Sequence, residues 1–425
     1  MRWLRLGLYL LFGFAVVAFG AVDVWAMSAL EIGAAALFLV WALVVCRDAG
    51  ANIYWSPLNW PLLGLLGVGV LQLVVHRTAY PFATRTEILR LAAYFLIFFL
   101  SAQAFRGREE MSQLAWLLTV FCFVVSLLAI AQHFTSNEEI YWMSEFQSGG
   151  SPFGPYVNRN HFAGFVELTF PMGLALMAFR AVRREARFLV GLLAIVPASA
   201  VVLSGSRGGI IAVVFEMAIL VLLVRSRRRL HGRRVAAGAV IVVAALAMIA
   251  WVGAEQAVAK FSALKFGDVS LERRVSMFIG AARIFHNHPI QGAGLGTLVD
   301  VYPRYERNYD GYVVDHVHND YLEVLAEAGL LGGVCGLVFL WRLYRQAAEN
   351  FQAEQGHFSR GLHAGAITAV SGLLLHSFVD FNLHIPANAL LFLLMSYLAI
   401  SPPLPSSAAR TPHSAKAAGE DASAE

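Results

Sequence analysis

The stretch SQLAWLLTVFCFVVSLLAIAQHF, residues 112–134, contains 23 residues and no Asp, Glu, Lys or Arg. A helix needs about 20 mainly apolar residues to cross the hydrocarbon core of a bilayer, so this stretch predicts a transmembrane helix. Other stretches of the chain are also mainly apolar and roughly long enough to cross a bilayer. They are about 6–22, 28–46, 59–76, 87–105, 160–179, 188–204, 209–225, 235–253, 320–341, 361–379 and 386–401. The sequence therefore predicts an all-α, polytopic integral membrane protein with about 12 transmembrane helices.

The composition of the whole chain supports this class of protein. Of 425 residues, 58% are apolar and 14% are charged, and the mean hydropathy is +0.62. Soluble domains contain roughly 45–50% apolar and about 25% charged residues. The composition therefore excludes an ordinary soluble enzyme, a disordered protein and a fibrous protein.

The arginines predict the orientation of the helices. If the N-terminus is cytoplasmic, 18 arginines fall in short cytoplasmic segments and 4 in short outer loops. Basic residues are in excess on the cytoplasmic side of membrane proteins, so we expect cytoplasmic N- and C-termini. The run RSRRRLHGRR (225–234) is interpreted in the same way, as a topology signal at the anionic inner leaflet and not as a nucleic-acid site.

The predicted spans divide the chain into two parts. Residues 1–402 form the polytopic membrane domain, and its longest outer loop, about 254–319, lies between the ninth and tenth spans. Residues 403–425 are rich in Ala, Ser and Pro and lack large apolar side chains. Such a segment cannot bury enough apolar surface to fold, so we expect a disordered cytoplasmic tail.

Function in a membrane protein is best sought where polar groups lie near the depth of the lipid, and four such places fall on the predicted outer side. The first is GPYVNRNHFAG (154–164), which puts Asn158, Arg159, Asn160 and His161 before a span. An asparagine that caps the helix is the structural alternative to a role in substrate binding. These residues provide more polar groups than a cap requires.

The second place is the short turn LSGSRGGI (203–210). Its glycines allow the backbone to bend sharply or to approach a ligand closely. Arg207 is the only charge in this turn, and a helix N-terminus with an arginine suits an anion. The alternative is a glycine-rich turn with a snorkelling arginine.

The third place is LERRVSMFIGAARIFHNHP (271–289), which predicts an amphipathic helix at the membrane interface. Its apolar stripe is predicted to contain Leu271, Val275, Phe278, Ala282 and Phe285. Arg274 falls on this stripe, where a guanidinium needs an anion or a carbonyl as partner. The alternative is an arginine that snorkels at the edge of the stripe.

The fourth place is DHVHNDYLEVLAEAGLLGG (315–333), which opens the tenth span with two histidines, an asparagine and several carboxylates: Asp315, His316, His318, Asn319, Asp320, Glu323 and Glu327. Helix capping and the helix dipole explain some of the carboxylates but not the histidine pair. A metal site of the two histidines and a carboxylate is conceivable, but no further ligand cluster accompanies it, so we expect no metal. Asp380 and His384 in VDFNLHIP are weaker candidates of the same kind.

Together, the outer arginines, histidines and carboxylates suit a reaction on a phosphorylated, lipid-borne substrate. Arginine forks match the geometry of phosphate, and histidine can take up a proton near neutral pH.

The order of these motifs resembles that of the O-antigen ligase and polymerase superfamily of bacterial envelope glycosyltransferases. The similar stretches are NRNHFAG (158–164), SGSRGG (204–209), the segment from Arg274 to Gly296 ending in HPIQGAGLG, and HVHNDYLEVLAEAGLLG (316–332). The last is the most specific. One departure is Phe278, which stands four residues after Arg274, where the family often has Trp.

This resemblance implies a metal-independent glycosyltransferase without cofactor, acting on the periplasmic side of the bacterial inner membrane in cell-envelope polysaccharide biosynthesis. The implied donor is a glycan on undecaprenyl diphosphate. The implied acceptor is a hydroxyl of lipid A–core (an O-antigen ligase), of a second lipid-linked glycan (a polymerase) or of a protein (an O-oligosaccharyltransferase). No nucleic-acid partner is expected.

The resemblance also assigns roles to residues. His318 would activate the acceptor hydroxyl, and Arg207 and Arg274 would hold the diphosphate and stabilise it as it leaves. Residues expected to bind substrate are Arg159, Asn160, His161, His316, Asn319 and Glu323. A transporter of a small anion or solute and a non-catalytic scaffold remain alternatives, although the polar groups lie on one face and not at the membrane midplane.

Overall fold

The computed structural model describes residues 1–48, 50–136, 139–143, 151–227, 271–306, 309, 311, 313–353 and 356–402. This part of the chain is mainly helical, and Phe153 and Tyr156 form an isolated β-bridge. The helices are α1 (Arg2–Val17), α2 (Val24–Cys46), α3 (Asn59–Val74), α4 (Pro81–Ala104), α5 (Arg108–Thr135), α6 (Arg159–Ala178), α7 (Arg187–Ser204), α8 (Arg207–Arg227), α9 (Leu271–Asn287), α10 (Leu298–Val301), α11 (Asp320–Ala353), α12 (His357–His376) and α13 (Pro386–Ile400).

Seven helical segments of the described chain are long and apolar enough to cross a membrane. They are α2, α4, α5, α6, most of α8, α11 and the segment Arg184–Ser204, which contains α7. This confirms the prediction of a polytopic helical membrane protein. The number of twelve spans stays a prediction, because α3 and α13 are shorter apolar helices, α1 has 16 residues and α12 is not among the seven. The predicted span 235–253, residues 254–270 of the outer loop and the tail 403–425 lie outside the described residues.

The centre of the bundle is formed by α6, α12 and α13. Every residue of α13 is buried, and α6 packs against α5, α7, α8, α12 and α13. Glycines bring α12 unusually close to α6, since a Cβ at Gly361 or Gly365 would lie 3.0 Å from the Cα of Leu176 or Met172, respectively. Small residues at such crossings allow close packing between membrane helices.

All four polar motifs lie at one end of the bundle, which we call the motif end. There α5, α7 and α12 end, and α6, α8, α11 and α13 begin. The opposite end contains the N-terminus, where Arg5 Nη1 lies 2.7 Å from Glu110 Oε1. The C-terminal end of α13 lies there as well, because Tyr397 donates its hydroxyl hydrogen to the carbonyl of Phe105.

The amphipathic helix α9 forms as predicted, but its buried face differs from the predicted stripe. Met277, Ala281 and Ile284 are buried, whereas Val275 is 46% exposed and Ala282 is also exposed. The buried face packs against residues such as Tyr302 and Val317. The predicted stripe was wrong because apolar residues cover most of the circumference of α9, and periodicity alone cannot show which part of it meets a neighbour.

Glu327 supports the glycine-rich loop after α9. Its two carboxylate oxygens accept hydrogen bonds from the backbone N–H groups of Gly296 (2.9 Å) and Leu298 (2.8 Å). The loop rests against a break in α11 at Gly329, where φ is +61°. That backbone conformation is easy only for glycine. Glu327 therefore has a structural role in holding this loop on α11.

Candidate functional site

The site is organised around the turn Ser377–Ile385, which joins α12 to α13. Its Asp380 is 1% exposed, and it contacts side chains from two other motifs. Asn160 Nδ2 donates to Asp380 Oδ2 over 2.5 Å. His318 Nδ1 and His161 Nε2 lie 3.3 and 3.6 Å from Asp380 Oδ1. Asp380 therefore joins the first and fourth sequence motifs.

Asp380 is held as an anion in this setting. Burial by itself raises the pKa of a carboxyl group, because it disfavours the charged form. His161 and His318 outweigh burial and hold the pKa of Asp380 well below its usual range. The turn therefore presents a fixed negative charge to the two imidazoles at neutral pH.

The position of His318 is set by the start of α11. Asn319 caps this helix, since the backbone N–H of Leu322 donates to Asn319 Oδ1 (3.0 Å). The amide of Asn319 also donates to the carbonyl of Phe378 in the turn (3.0 Å). His318 itself has a φ of +51°, a left-handed conformation that is uncommon for a residue with a side chain and is found at functional sites. Asn319 thus braces the two segments that bring His318 to Asp380.

A second histidine cluster lies on the other side of the same turn. His316 Nδ1 is 2.5 Å from Glu323 Oε1, and His384 Nε2 is 3.3 Å from the same oxygen. The other ring nitrogen of His384, Nδ1, is 2.8 Å from Asp320 Oδ1. His316 and His318 do not share a carboxylate: His316 pairs with Glu323, and His318 lies beside Asp380.

The carboxylates favour the charged form of these two histidines. Burial lowers the pKa of both rings, but Glu323 outweighs it, together with Asp320 in the case of His384. The net result is a raised pKa for His316 and a pKa of about 10 for His384. His384 is therefore an imidazolium at neutral pH, which offsets the charge of the carboxylates beside it.

His316, Glu323 and His384 are also a group that could hold a metal ion. Their ligand atoms all lie within 4.8 Å of one another. The histidines and Glu323 already pair with one another, and Asp320 orients His384 as a second-shell carboxylate orients a metal-binding histidine. The geometry is thus compatible with hydrogen bonds among the three side chains or with a metal ion bound between them.

Phe381 packs between the two clusters. Its ring stacks on His316 with a centroid distance of 4.3 Å and an interplanar angle of 19°. The edges of His161 and His318 approach the same ring at 4.7 and 4.9 Å. One aromatic side chain therefore contacts three imidazoles and restricts their orientation. Contact with an aromatic face is most favourable when the imidazole is charged.

The predicted arginines lie around the same turn. Arg274 Nη1 donates to the carbonyl of Val379 over 3.0 Å, which provides the carbonyl partner that its place on α9 required. Arg207 begins α8, and a Cβ on the next residue, Gly208, would collide with His376 and contact Val379. Arg159 Nη1 lies 3.7 Å from the position of a Cβ on Gly205, in the turn before Arg207.

Asn158 supports the structural alternative for the first motif. Its side chain accepts a hydrogen bond from the backbone N–H of Asn160 over 2.9 Å and so caps α6. The remaining polar residues of that motif have other contacts: Asn160 and His161 approach Asp380, and Arg159 faces the Gly205 turn. The cap and the site are therefore built from different residues of one motif.

The sequence did not point to a buried group behind the site, although a signal was present. His376 Nδ1 lies 2.7 Å from Glu167 Oε1, and the side chains are 1% and 0% exposed. Glu216 is also fully buried, and neither of its carboxylate oxygens has a hydrogen-bond partner among the described residues. Both glutamates lie within predicted spans, and an acidic residue inside an apolar span is itself a sign of function.

A comparison with family models identifies residues 172–337 as matching the model described as O-antigen ligase. The matched part includes Arg207, Arg274 and His318, whereas Asp380 and Asn160 lie outside it. No curated protein matches the chain. Over residues 172–337, this membrane protein is therefore similar to the O-antigen ligase family.

Proposed function

We propose that this protein transfers a glycan from undecaprenyl diphosphate to the hydroxyl of an acceptor at the periplasmic face of the bacterial inner membrane. The observation that carries this proposal is the meeting of His318 with Asp380 (3.3 Å) beside the Arg274–Val379 contact (3.0 Å). A base, an anion that orients it and a cation thus lie around one turn. That combination suits group transfer from a diphosphate.

His318 is proposed as the general base. Asp380 lies on the Nδ1 side of its ring, so the tautomer with a proton on Nδ1 leaves Nε2 free to accept a proton. The acceptor hydroxyl transfers its proton to Nε2 while its oxygen bonds to the first carbon of the donor glycan. The bond from that carbon to the diphosphate oxygen breaks in the same step. The 3.3 Å separation is long for a hydrogen bond, and such catalytic contacts commonly tighten when substrate binds.

Arg274 and Arg207 are proposed to hold the departing diphosphate. Negative charge accumulates on its oxygens as the bond to the sugar breaks, and fixed cations stabilise that charge most where water is excluded. Arg274 Nη1 is engaged by Val379, whereas its Nε is buried and has no hydrogen-bond partner in the described part of the chain. Nε can therefore donate to a phosphate oxygen.

We propose further that the reaction needs no metal ion. In this proposal the arginines supply the positive charge, and His316 and His384 serve as imidazoliums paired with Glu323 and Asp320. The raised pKa values of both histidines support this interpretation.

The orientation belongs to the same proposal. The excess of arginines in the predicted cytoplasmic segments supports cytoplasmic termini and a periplasmic site. The donor lipid would approach from the outer leaflet.

One observation favours transport as a second candidate function. Glu167 and Glu216 are buried ionisable residues within helices α6 and α8, a feature common in proton and ion pathways. The histidines, arginines and Asp380 at the motif end favour glycan transfer instead.

Reconstitution tests the proposal. Liposomes containing the protein receive undecaprenyl-diphosphate glycan and a panel of acceptors, and His318→Ala and Arg274→Ala are compared with the wild type. Arg345→Ala is the matched control, because Arg345 is exposed and contacts Glu349 and Trp341 of its own helix. Product on lipid A–core would identify a ligase, longer lipid-linked chains a polymerase, and glycosylated protein an O-oligosaccharyltransferase.

The two variants should differ in their defects. Both should lose transfer, but only Arg274→Ala should also lose binding of undecaprenyl diphosphate. Absence of transfer to every acceptor, combined with flux of a solute across the bilayer, would refute glycan transfer in favour of the transporter.

A further inference from the structure

A cavity of about 230 Å³ lies at the motif end. It is bounded by the end of α5, the segment 151–154, the start of α6 and the end of α7. Arg159 lines this cavity, while the next residue, Asn160, donates to Asp380. Ser204 lines it as well, three positions before Arg207. The cavity is therefore adjacent in the chain to both parts of the proposed site.

The walls of this cavity are held in place by hydrogen bonds. The backbone N–H of Arg159 donates to the carbonyl of Ser151 (2.8 Å), and Phe153 and Tyr156 exchange two backbone hydrogen bonds. From α5, Gln132 Nε2 donates to the carbonyl of Gly154 over 2.9 Å. Ligand sites are usually preformed in this way. These bonds join the segment 151–154 to α5 and to the start of α6.

The lining residues indicate the chemistry of the ligand. Arg159 and Glu139 supply one positive and one negative group, and Ser151 supplies a hydroxyl group. Phe134, which is 64% exposed, and Phe153 add aromatic surface. A sugar residue combines hydroxyl groups with apolar ring faces and so can use donors, acceptors and aromatic rings together.

The charge balance separates this cavity from the diphosphate site. A diphosphate would be repelled by the carboxylate of Glu139, which also offsets the charge of Arg159 in the same lining. An uncharged sugar carries no such penalty. The cavity is therefore suited to the glycan and not to the leaving group.

We propose that this cavity binds an uncharged sugar residue of the donor glycan or of a glycan acceptor. The inference rests on the proposed function and adds a saccharide subsite to it. The sugar would belong either to the donor glycan or to the acceptor glycan, and the kinetic experiment below distinguishes these sources.

Filling the cavity is the first test. Ser151 is exposed at its rim, so Ser151→Trp should occupy the cavity without replacing a core residue. The matched control is Ala348→Trp, at an exposed position that lines a separate cavity near the opposite end of the bundle. We expect Ser151→Trp to raise KM about tenfold for one substrate, with kcat unchanged, because a subsite away from the reacting atoms contributes uniform binding. A raised acceptor KM would assign the sugar to the acceptor, and a raised donor KM would assign it to the donor.

Binding without turnover is the second test. Saturation-transfer NMR on the full-length protein in detergent uses methyl glycosides of glucose, galactose, mannose and N-acetylglucosamine as probes. The wild type and Ala348→Trp should give signals that Ser151→Trp and Glu139→Ala weaken, while all four proteins keep their affinity for undecaprenyl diphosphate.

Two results would overturn the subsite: no signal from any probe with the wild type, or both KM values unchanged in Ser151→Trp. Signals without any transfer activity in the wild type would refute the proposed function and leave the saccharide site standing. The two failures are thus distinguishable.

Discussion

The buried pair of Glu167 and His376 allows a quantitative prediction about stability. The Oε1 and Nδ1 atoms are 2.7 Å apart, and both side chains are almost completely buried. Removing one partner of a buried ionic pair leaves the other without compensation and costs about 3–5 kcal/mol. Glu167→Leu should therefore lower the free energy of unfolding by about that amount. The double variant Glu167→Leu/His376→Leu should recover most of the loss, since it buries no unpaired polar group.

The measurement is a double-mutant cycle on the purified protein in detergent, with the free energy of unfolding taken from denaturant titration. Glu349→Leu is the matched control, because Glu349 belongs to a pair whose side chains are 63% and 54% exposed. Exposed pairs contribute about 0–1 kcal/mol, so this control should change little. A loss below about 1 kcal/mol in Glu167→Leu, or a double variant as unstable as the sum of the single variants, would refute the reasoning.

Four further predictions concern the site and its surroundings. Asp380→Asn should lower kcat by about 10²–10⁴-fold with little change in the donor KM, because the tautomer of His318 is no longer selected; unchanged steady-state kinetics would contradict this. His384 has a raised pKa of about 10, so its contribution to stability is complete below the ordinary histidine pKa and is lost as the pH rises through about 10. The unfolding temperature should therefore fall in that range, and His384→Gln should remove this component of the pH dependence; an identical pH profile in the variant would exclude the assignment. Dialysis against a chelator should leave the transfer rate unchanged, and a loss restored by one divalent ion would assign a metal to His316, Glu323 and His384. Glu216→Gln should change the free energy of unfolding by less than about 1 kcal/mol. Glu216 is buried and has no hydrogen-bond partner among the described residues, so the neutral acid is favoured, and glutamine mimics that form. A loss of several kcal/mol would show that an ionised Glu216 is needed.

Several site residues could be predicted because they conflict with their surroundings. Arg274 was expected to need a carbonyl or anion, and it donates to the carbonyl of Val379. Asn158 was expected as a possible cap, and it caps α6. In both cases the argument depends on one local element and on the cost of leaving a polar group without a partner. Such reasoning does not require knowledge of the rest of the fold.

The histidine pair shows where this reasoning ends. His316 and His318 are two residues apart, and sequence spacing suggests a common role. In the fold, the left-handed backbone at His318 directs it to Asp380, whereas His316 meets Glu323. Asp380 ranked low in the sequence because only His384 accompanies it in its turn. Its importance comes from partners more than sixty and two hundred residues away, which no local pattern contains.

The sequence by itself determined that the protein is a polytopic helical membrane protein and where most of its helices lie. Length and apolar content of a segment are local properties, and a bilayer imposes the same requirement on each span. Only the tertiary structure decided which polar groups meet. The partners of Glu167, Asp380 and the buried face of α9 depend on the rotation of each helix and on the order of its neighbours. The rotation and the order of the helices are set by packing across the whole bundle. The sequence of one helix does not show which of its apolar faces will meet a neighbour.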